Sequence, residues 1–290
     1  MPSDSPSSAK LAESDTSALS DVSRDRAATA VGTAARAKLL VVIATYDEID
    51  NLPRLVEALH AAVPWADLLV IDDGSPDGTG RWADERSASD RQLTVIHRPR
   101  KSGLGSATLR GFREGIDRGY DLVATIDADF SHPPERLAAL VETLERNPAC
   151  DVAIGSRYVA GGGIEGWPWR RRWMSRWVNR YARWWLRLPV RDCSGAFRVY
   201  RAERLAALPP EAVRAKGYAY LEEILVRLKR RGARFVEVPF VFRDRTAGRT
   251  KIDAREAIAA LLTIGRLGWS GDDEWRSEGE IEGNSERRSV

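Results

Sequence analysis

The segment KLLVVIATYDE, residues 38–48, decides the fold. Residues 39–44 form a continuous apolar run, the pattern of a strand covered on both faces, and the chain then turns abruptly polar. Leu52, Leu55, Val56, Leu59 and Val63 follow at helical spacing. The alternation continues outward, with strands expected at 67–71, 93–96, 122–126 and 152–154 and helices at 77–85, 104–118 and 134–146. Pro134 near a helix start and Asn147-Pro148 beyond its end suit those termini. This order predicts an α/β fold with a doubly wound, mostly parallel sheet, whose ligands bind at the carboxyl ends of the strands. Farther on, the pattern predicts a strand at 198–200, a helix at 221–231, a strand at 235–240 and a last apolar helix at 254–269.

The 290 residues suit one large domain or two small ones. Residues 1–37 hold 17 Ala or Ser and no aromatic residue, which predicts a disordered tail without the apolar core of a signal peptide. Residues 270–290 carry seven acids and three arginines and read as a second, acidic disordered tail. The folded unit is therefore expected at 38–269. Two cysteines, Cys150 and Cys193, cannot build a disulfide framework, so a reducing, cytoplasmic setting is expected. No apolar run exceeds six residues, far below the roughly 18 of a membrane-spanning helix. The net charge of +3 argues against a generally basic nucleic-acid binder. That charge is unevenly placed, since residues 163–191 hold eight arginines against one acid and six of the ten tryptophans.

Three strands end in acidic residues: Tyr46-Asp47-Glu48, Asp72-Asp73, and Asp127-Ala128-Asp129. Ser75-Pro76-Asp77-Gly78 reads equally well as a turn and helix cap. Asp127 and Asp129, at i and i+2 on a strand end, point the same way in extended backbone. Like carboxylates held together repel unless a cation neutralises them, and Mg2+ or Mn2+ bound with a substrate diphosphate fits that need. Two other nucleotide-binding motifs are absent. Gly103 and Gly105 lack the third glycine of a dinucleotide fingerprint, where Thr108 stands, and there is no GxxxxGK[ST] loop. Three scattered histidines and no GxSxG elbow leave hydrolase chemistry unsupported.

Together these segments resemble family 2 glycosyltransferases, and among them the dolichol-phosphate (polyprenyl-phosphate) mannose synthases. The resemblance rests on ATYDE at 44–48, DDGSPDGT at 72–79, KSGLGSA at 101–107 and DADFSHPPE at 127–135. GSRY at 155–158, DCSGAFR at 192–198 and GRTK at 248–251 extend it. It implies a GT-A, Rossmann-like fold that transfers mannose from GDP-mannose to a polyprenyl phosphate. By the same resemblance Ala44, Tyr46, Glu48, Ile71, Asp73 and Ala128 would contact the donor. Asp127 and Asp129, with Ser131, would hold the metal. Arg245 and Lys251 would close over the diphosphate, and Arg157, Arg171 and Ser175 would receive the acceptor phosphate. Asp192 could assist as an acid or base, and a structural role is the one expected. Four positions depart from the family pattern: Ala44 for proline, Asp47 for asparagine, Leu221 for glutamine and Thr250 for serine. Asp47 and Leu221 bear on the donor; the alternatives are the same transfer from UDP-glucose or UDP-GlcNAc, or a non-catalytic sugar-nucleotide-binding, membrane-associated protein.

In 163–191, Trp173, Trp177, Tyr181 and Trp184/Trp185 recur on one helix face, with Arg172, Arg176, Arg180, Arg183 and Arg187 expected on another. A basic amphipathic helix edged with tryptophan is the signature of a membrane interface, against the alternative of a core helix with solvated arginines. Single-stranded nucleic acid is disfavoured, because the strand-end acids would repel it. With no spanning helix expected, the resemblance implies peripheral membrane association or an anchoring partner protein.

Overall fold

The computed structural model describes residues 36–208, 213, 215, 217–244 and 254–269. The terminal tails, apart from residues 36 and 37, lie outside the described residues, as do Arg245, Thr250 and Lys251. The described elements belong to one unit, Ala37–Val290.

Strands β1 (Leu39–Thr45), β2 (Asp67–Asp72), β3 (Leu93–His97) and β4 (Leu122–Asp127) alternate with helices α1 (Leu52–Ala62), α2 (Thr79–Ser89) and α3 (Leu104–Asp117). After α4 (Leu137–Arg146) come β5 (Val152–Ser156), β6 (Gly163–Glu165), α5 (Trp169–Trp185), β7 (Arg198–Arg201) and α6 (Ala202–Ala206). The described part ends with α7 (Tyr220–Arg230), β8 (Phe235–Pro239), β9 (Val241–Arg243) and α8 (Ala254–Trp269). Seven strands form one sheet in the order β3-β2-β1-β4-β7-β5-β8, and β6 pairs with β9 in a separate ribbon.

Alternate residues of each strand feed two cores. Leu40, Val42, Leu69 and Ile71 face one layer with Phe112 of α3, Ala182 of α5 and Ile224 of α7. Leu39, Val41, Ile43, Leu68 and Val70 face the other, with Leu52, Leu55, Val56 and Leu59 of α1 and Leu137, Leu140, Val141 and Leu144 of α4. Coverage on both faces is why the strands read as unbroken apolar runs rather than alternating ones.

The sheet departs from an all-parallel one at β7. This strand runs antiparallel to both neighbours, with Leu122 opposite Arg201 and Val152 opposite Tyr200. The predicted strand at 235–240 is two strands, β8 and β9, in different sheets. Helix α2 starts two residues later than expected because Asp77 stays outside it, accepting from the Thr79 amide at 2.9 Å and hydroxyl at 2.6 Å. Burial opposes charge on Asp77, but these bonds and one from the Ile49 amide hold its carboxyl below the usual range.

Candidate active site

The rim at the ends of β1, β2 and β4 is built from short-range backbone constraints. Asp72 is buried and accepts from the Thr45 hydroxyl (3.1 Å) and from Ser75 through both its amide (3.0 Å) and its hydroxyl (2.5 Å). It therefore fixes the turn after β2. Asp47 has φ +61°, a left-handed conformation that asparagine and aspartate adopt most readily, so the change from the family's asparagine keeps the backbone requirement. Glu48 is tied at its amide to the Thr79 hydroxyl (3.0 Å) and at its carboxylate to Asn51 Nδ2 (2.9 Å).

The predicted donor residues fall into three groups. Tyr46 and Glu48 lie at the rim, and the Lys101 ammonium sits 3.8 Å from the Tyr46 ring centroid. Asp73 anchors the loop before α3: Arg98 Nε donates to it at 2.5 Å, and the Ser102 and Gly103 amides at 3.0 and 3.3 Å. Ala44 is half-buried and Ala128 buried beside these groups, whereas the Ile71 side chain is wholly inside the core and packs there instead of facing the rim. Where α3 starts, Gly105 allows Tyr220 of α7 to approach, since a β-carbon there would lie 2.9 Å from the tyrosine ring. Leu221 likewise points into the core.

Asp127 is the last residue of β4, and its side chain is 26% exposed. Asp129 follows in a turn and is 4% exposed, with Oδ1 accepting from the Ser131 amide at 3.0 Å. The strand pleat thus ends between the two acids, and a turn, with Phe130 at φ +59°, places the second. The Ser131 hydroxyl is buried and has no hydrogen-bond partner. No three His, Cys, Asp or Glu side chains converge as a metal cage among the described residues. Two carboxylates and an orphaned hydroxyl suit a hard divalent cation that takes its remaining ligands from phosphate oxygens, as Mg2+ and Mn2+ do.

The three predicted acceptor residues are brought to one wall of side chains. Arg157 pairs bidentately with the fully buried Asp192, Nε at 2.7 Å and Nη2 at 2.6 Å, and Nη2 also donates to the Ser194 hydroxyl at 3.0 Å. Burial opposes charge on Asp192, yet Arg157 holds its carboxyl below the usual range, which fits the structural role expected for it. The Arg157 guanidinium lies 5.2 Å from the Tyr158 ring, whose hydroxyl meets that of Ser175 at 2.8 Å. It also lies 5.7 Å from Phe242, which packs edge-on against Trp167 at 5.1 Å. Arg171 covers Trp167 at 3.9 Å and reaches Asp244 at 3.4 Å. Trp167, Phe242 and Asp244 were not singled out from the sequence as site residues; Trp167 and Asp244 lie 77 residues apart, and no local spacing connects them.

The tryptophan helix is turned outward. Trp169, Trp173, Trp177 and Trp184 of α5 are each more than half exposed and fall within about 80° of arc at 3.6 residues per turn. Asn179 and Ala182, buried, lie on the opposite side. Two expectations are corrected. Arg180 sits inside the tryptophan arc rather than on a separate face, and Arg187 lies beyond the helix end. Tyr181 and Trp185 turn inward, stacked in a ladder with Trp177 at 5.9 and 6.3 Å. The Trp185 indole donates to the Gly265 carbonyl at 3.2 Å and so clasps α8 to α5. Leu262 and Trp269 of α8 add to the exposed apolar surface. No helix among the described residues is long and apolar enough to cross a membrane.

Glu222 of α7, unremarked in the sequence, is fully buried with Oε2 unpartnered. Burial pushes its pKa up to about 7, only partly countered by Arg198, with Asp192 and Arg157 also facing it and the buried Cys193 thiol beside it. The folded chain then keeps a proton that the unfolded chain releases above pH 4.5. The contribution of Glu222 to stability therefore falls as pH rises from about 4.5 to 7, by an amount on the order of 3 kcal/mol. Thermal melts of Glu222→Gln should lose this slope and exceed the wild type at pH 8; an unchanged slope would contradict the assignment.

A mostly parallel sheet flanked by helices, carrying Asp127 and Asp129 at one strand end, is the architecture of a GT-A glycosyltransferase. The glycosyl transferase family 2 model matches residues 40–208, and the chain belongs to that family. The undecaprenyl-phosphate mannosyltransferase of Micrococcus luteus is 42% identical over 238 residues, covering 81% of this chain and 97% of its own. The polyprenol monophosphomannose synthase of Mycolicibacterium smegmatis is 41% identical over 235 residues, 81% and 88% of the two chains. Glucosyl-3-phosphoglycerate synthase from Mycobacterium tuberculosis, solved with Mn2+, uridine diphosphate and glucosyl-3-phosphoglycerate, aligns with a TM-score of 0.60 over 81% of each chain. At 19% identity that likeness shows the fold alone.

Proposed function

We propose that this enzyme transfers mannose, with inversion, from GDP-mannose to a polyprenyl phosphate, and does so at the cytoplasmic face of a membrane. The observation that carries the reading is the placement of the paired acids Asp127 and Asp129, with the orphaned Ser131 hydroxyl, on the same molecule as the Arg157–Arg171–Ser175 wall and an outward tryptophan–arginine helix. The two named mannosyltransferase relatives, alike over four-fifths of the chain, support the sugar and the lipid acceptor.

Mg2+ or Mn2+ bound by Asp127, Asp129 and Ser131 would neutralise charge that grows on the departing diphosphate. Arg245 and Lys251 would add cations to the same oxygens. Tyr46, Glu48 and Asp73 would hold the nucleoside. Arg157, Arg171 and Ser175 would orient the acceptor phosphate, whose oxygen is already anionic near neutral pH and needs no strong general base. Its direct attack on the anomeric carbon inverts the configuration. The polyprenyl tail stays in the bilayer, against which α5 and α8 would lie peripherally, with or without an anchoring partner protein. The terminal segments 1–37 and 270–290 would be tails outside the catalytic unit.

Enzyme supplied with polyprenyl phosphate and radiolabelled GDP-mannose, UDP-glucose or UDP-GlcNAc should label the lipid from GDP-mannose alone. Label entering only from a UDP-sugar would refute the donor. For the membrane reading, Trp173→Ala combined with Trp177→Ala should reduce the liposome partition constant, read by co-sedimentation, roughly thirtyfold, each indole contributing on the order of 1 kcal/mol at an interface. Unaltered sedimentation would refute the docking face.

A further inference from the structure

The amide of Asp127 donates to Nδ1 of His132 at 3.3 Å, and the same nitrogen lies 3.8 Å from Asp127 Oδ2. An amide nitrogen can only donate, so Nδ1 presents its lone pair and the neutral ring carries its proton on Nε2. His132 is 2% exposed. Its ring stacks on Phe197 at 5.2 Å and 11°, and Phe240 and Phe242 meet it edge-on at 5.6 and 6.0 Å. The ring is therefore fixed in position by an apolar box.

The need for this acceptor follows from the sheet. On one side β4 pairs with β1 as far as Ala44 opposite Asp127, but on the other its pairing with β7 stops at Thr125. The last strand residue thus lacks a neighbouring strand on the β7 side, and its partly buried amide takes a side-chain acceptor instead. Immediately afterwards the chain turns through Phe130 in a left-handed conformation.

We propose that His132 is a positioning residue for the metal site. It takes the place of the missing strand, holding the Asp127 peptide and thereby aiming the carboxylate. Phe242, which packs on His132, also touches Arg157, so one aromatic wall backs both the metal acids and the acceptor cluster. The inference rests on reading Asp127 as a metal-binding acid.

The test is Mn2+ binding in the presence of GDP, followed by electron paramagnetic resonance of the free ion, without turnover. His132→Leu should weaken Mn2+ binding about tenfold, whereas His132→Asn, whose Oδ1 can accept the same amide, should stay within about threefold of wild type. A folded leucine variant with wild-type affinity overturns the proposal, as does equal loss in both variants, which would assign the effect to ring packing. Should the leucine variant not fold, nitrogen-15 spectra of the wild type decide: a proton on His132 Nδ1 refutes the assignment, and a bare Nδ1 beside a protonated Nε2 supports it. No Mn2+ binding by the wild type removes the metal reading itself and this inference with it.

Discussion

Asp129→Asn is expected to lower sugar transfer by about 10³-fold, equivalent to roughly 4 kcal/mol of transition-state stabilisation. The substitution isolates charge from structure. Asparagine keeps an oxygen able to accept the Ser131 amide, the 3.0 Å bond that shapes the turn after β4. What is lost is the negative charge that, with Asp127, would bind a divalent cation. Circular dichroism and the melting temperature should stay near wild type while the rate with saturating Mn2+ collapses. Transfer at the wild-type rate would refute the metal assignment, and loss of fold in Asp129→Asn would show that the carboxylate is structural.

Asp192→Ala is expected to cost about 3–5 kcal/mol of folding stability, read from urea denaturation. Asp192 is completely buried, and its carboxylate receives the Arg157 side chain, the Arg157 amide at 3.0 Å and the Gly195 amide at 3.0 Å. Removing it leaves a buried guanidinium without its hydrogen-bonded counter-charge, the situation that makes breaking a buried pair far worse than losing a surface one. The exposed Arg146–Glu142 pair on α4 is a suitable control, for which Glu142→Ala should change stability by less than about 1 kcal/mol. A loss of similar size at Asp192 would mean that Arg157 finds another partner or reaches water.

Much of this architecture was legible in the chain. The unbroken run at 39–44 required a sheet covered on both sides, and the helices with apolar positions three and four apart had to supply the cover. The acids at 127 and 129 stood out because like carboxylates held together at a strand end repel unless a cation neutralises them. The antiparallel β7 was not legible, because pairing direction depends on which strands meet and not on the pattern within either. Nor was the state of Arg157, whose guanidinium is engaged by an aspartate 35 residues away.

The same division runs through α5. Composition concentrated six tryptophans and eight arginines in 163–191, and helical spacing put the aromatic residues in a stripe. A stripe of that kind is equally compatible with a buried face, since periodicity reports that two faces differ but not which one meets the core. The tertiary structure decided it: the small, buried Ala182 and Asn179 face the interior, and Trp169, Trp173, Trp177 and Trp184 face out. His132 shows the converse. Its place after Asp129 was plain in the sequence, but its task exists only because β7 ends at Thr125 and leaves the Asp127 amide to be satisfied by a side chain. Local sequence thus fixed which residues reach the rim, through strand alternation and turn chemistry acting over a few positions. Which of them are buried, paired or exposed was settled by packing between distant segments, where the cost of burying a charge or an amide selects its partner.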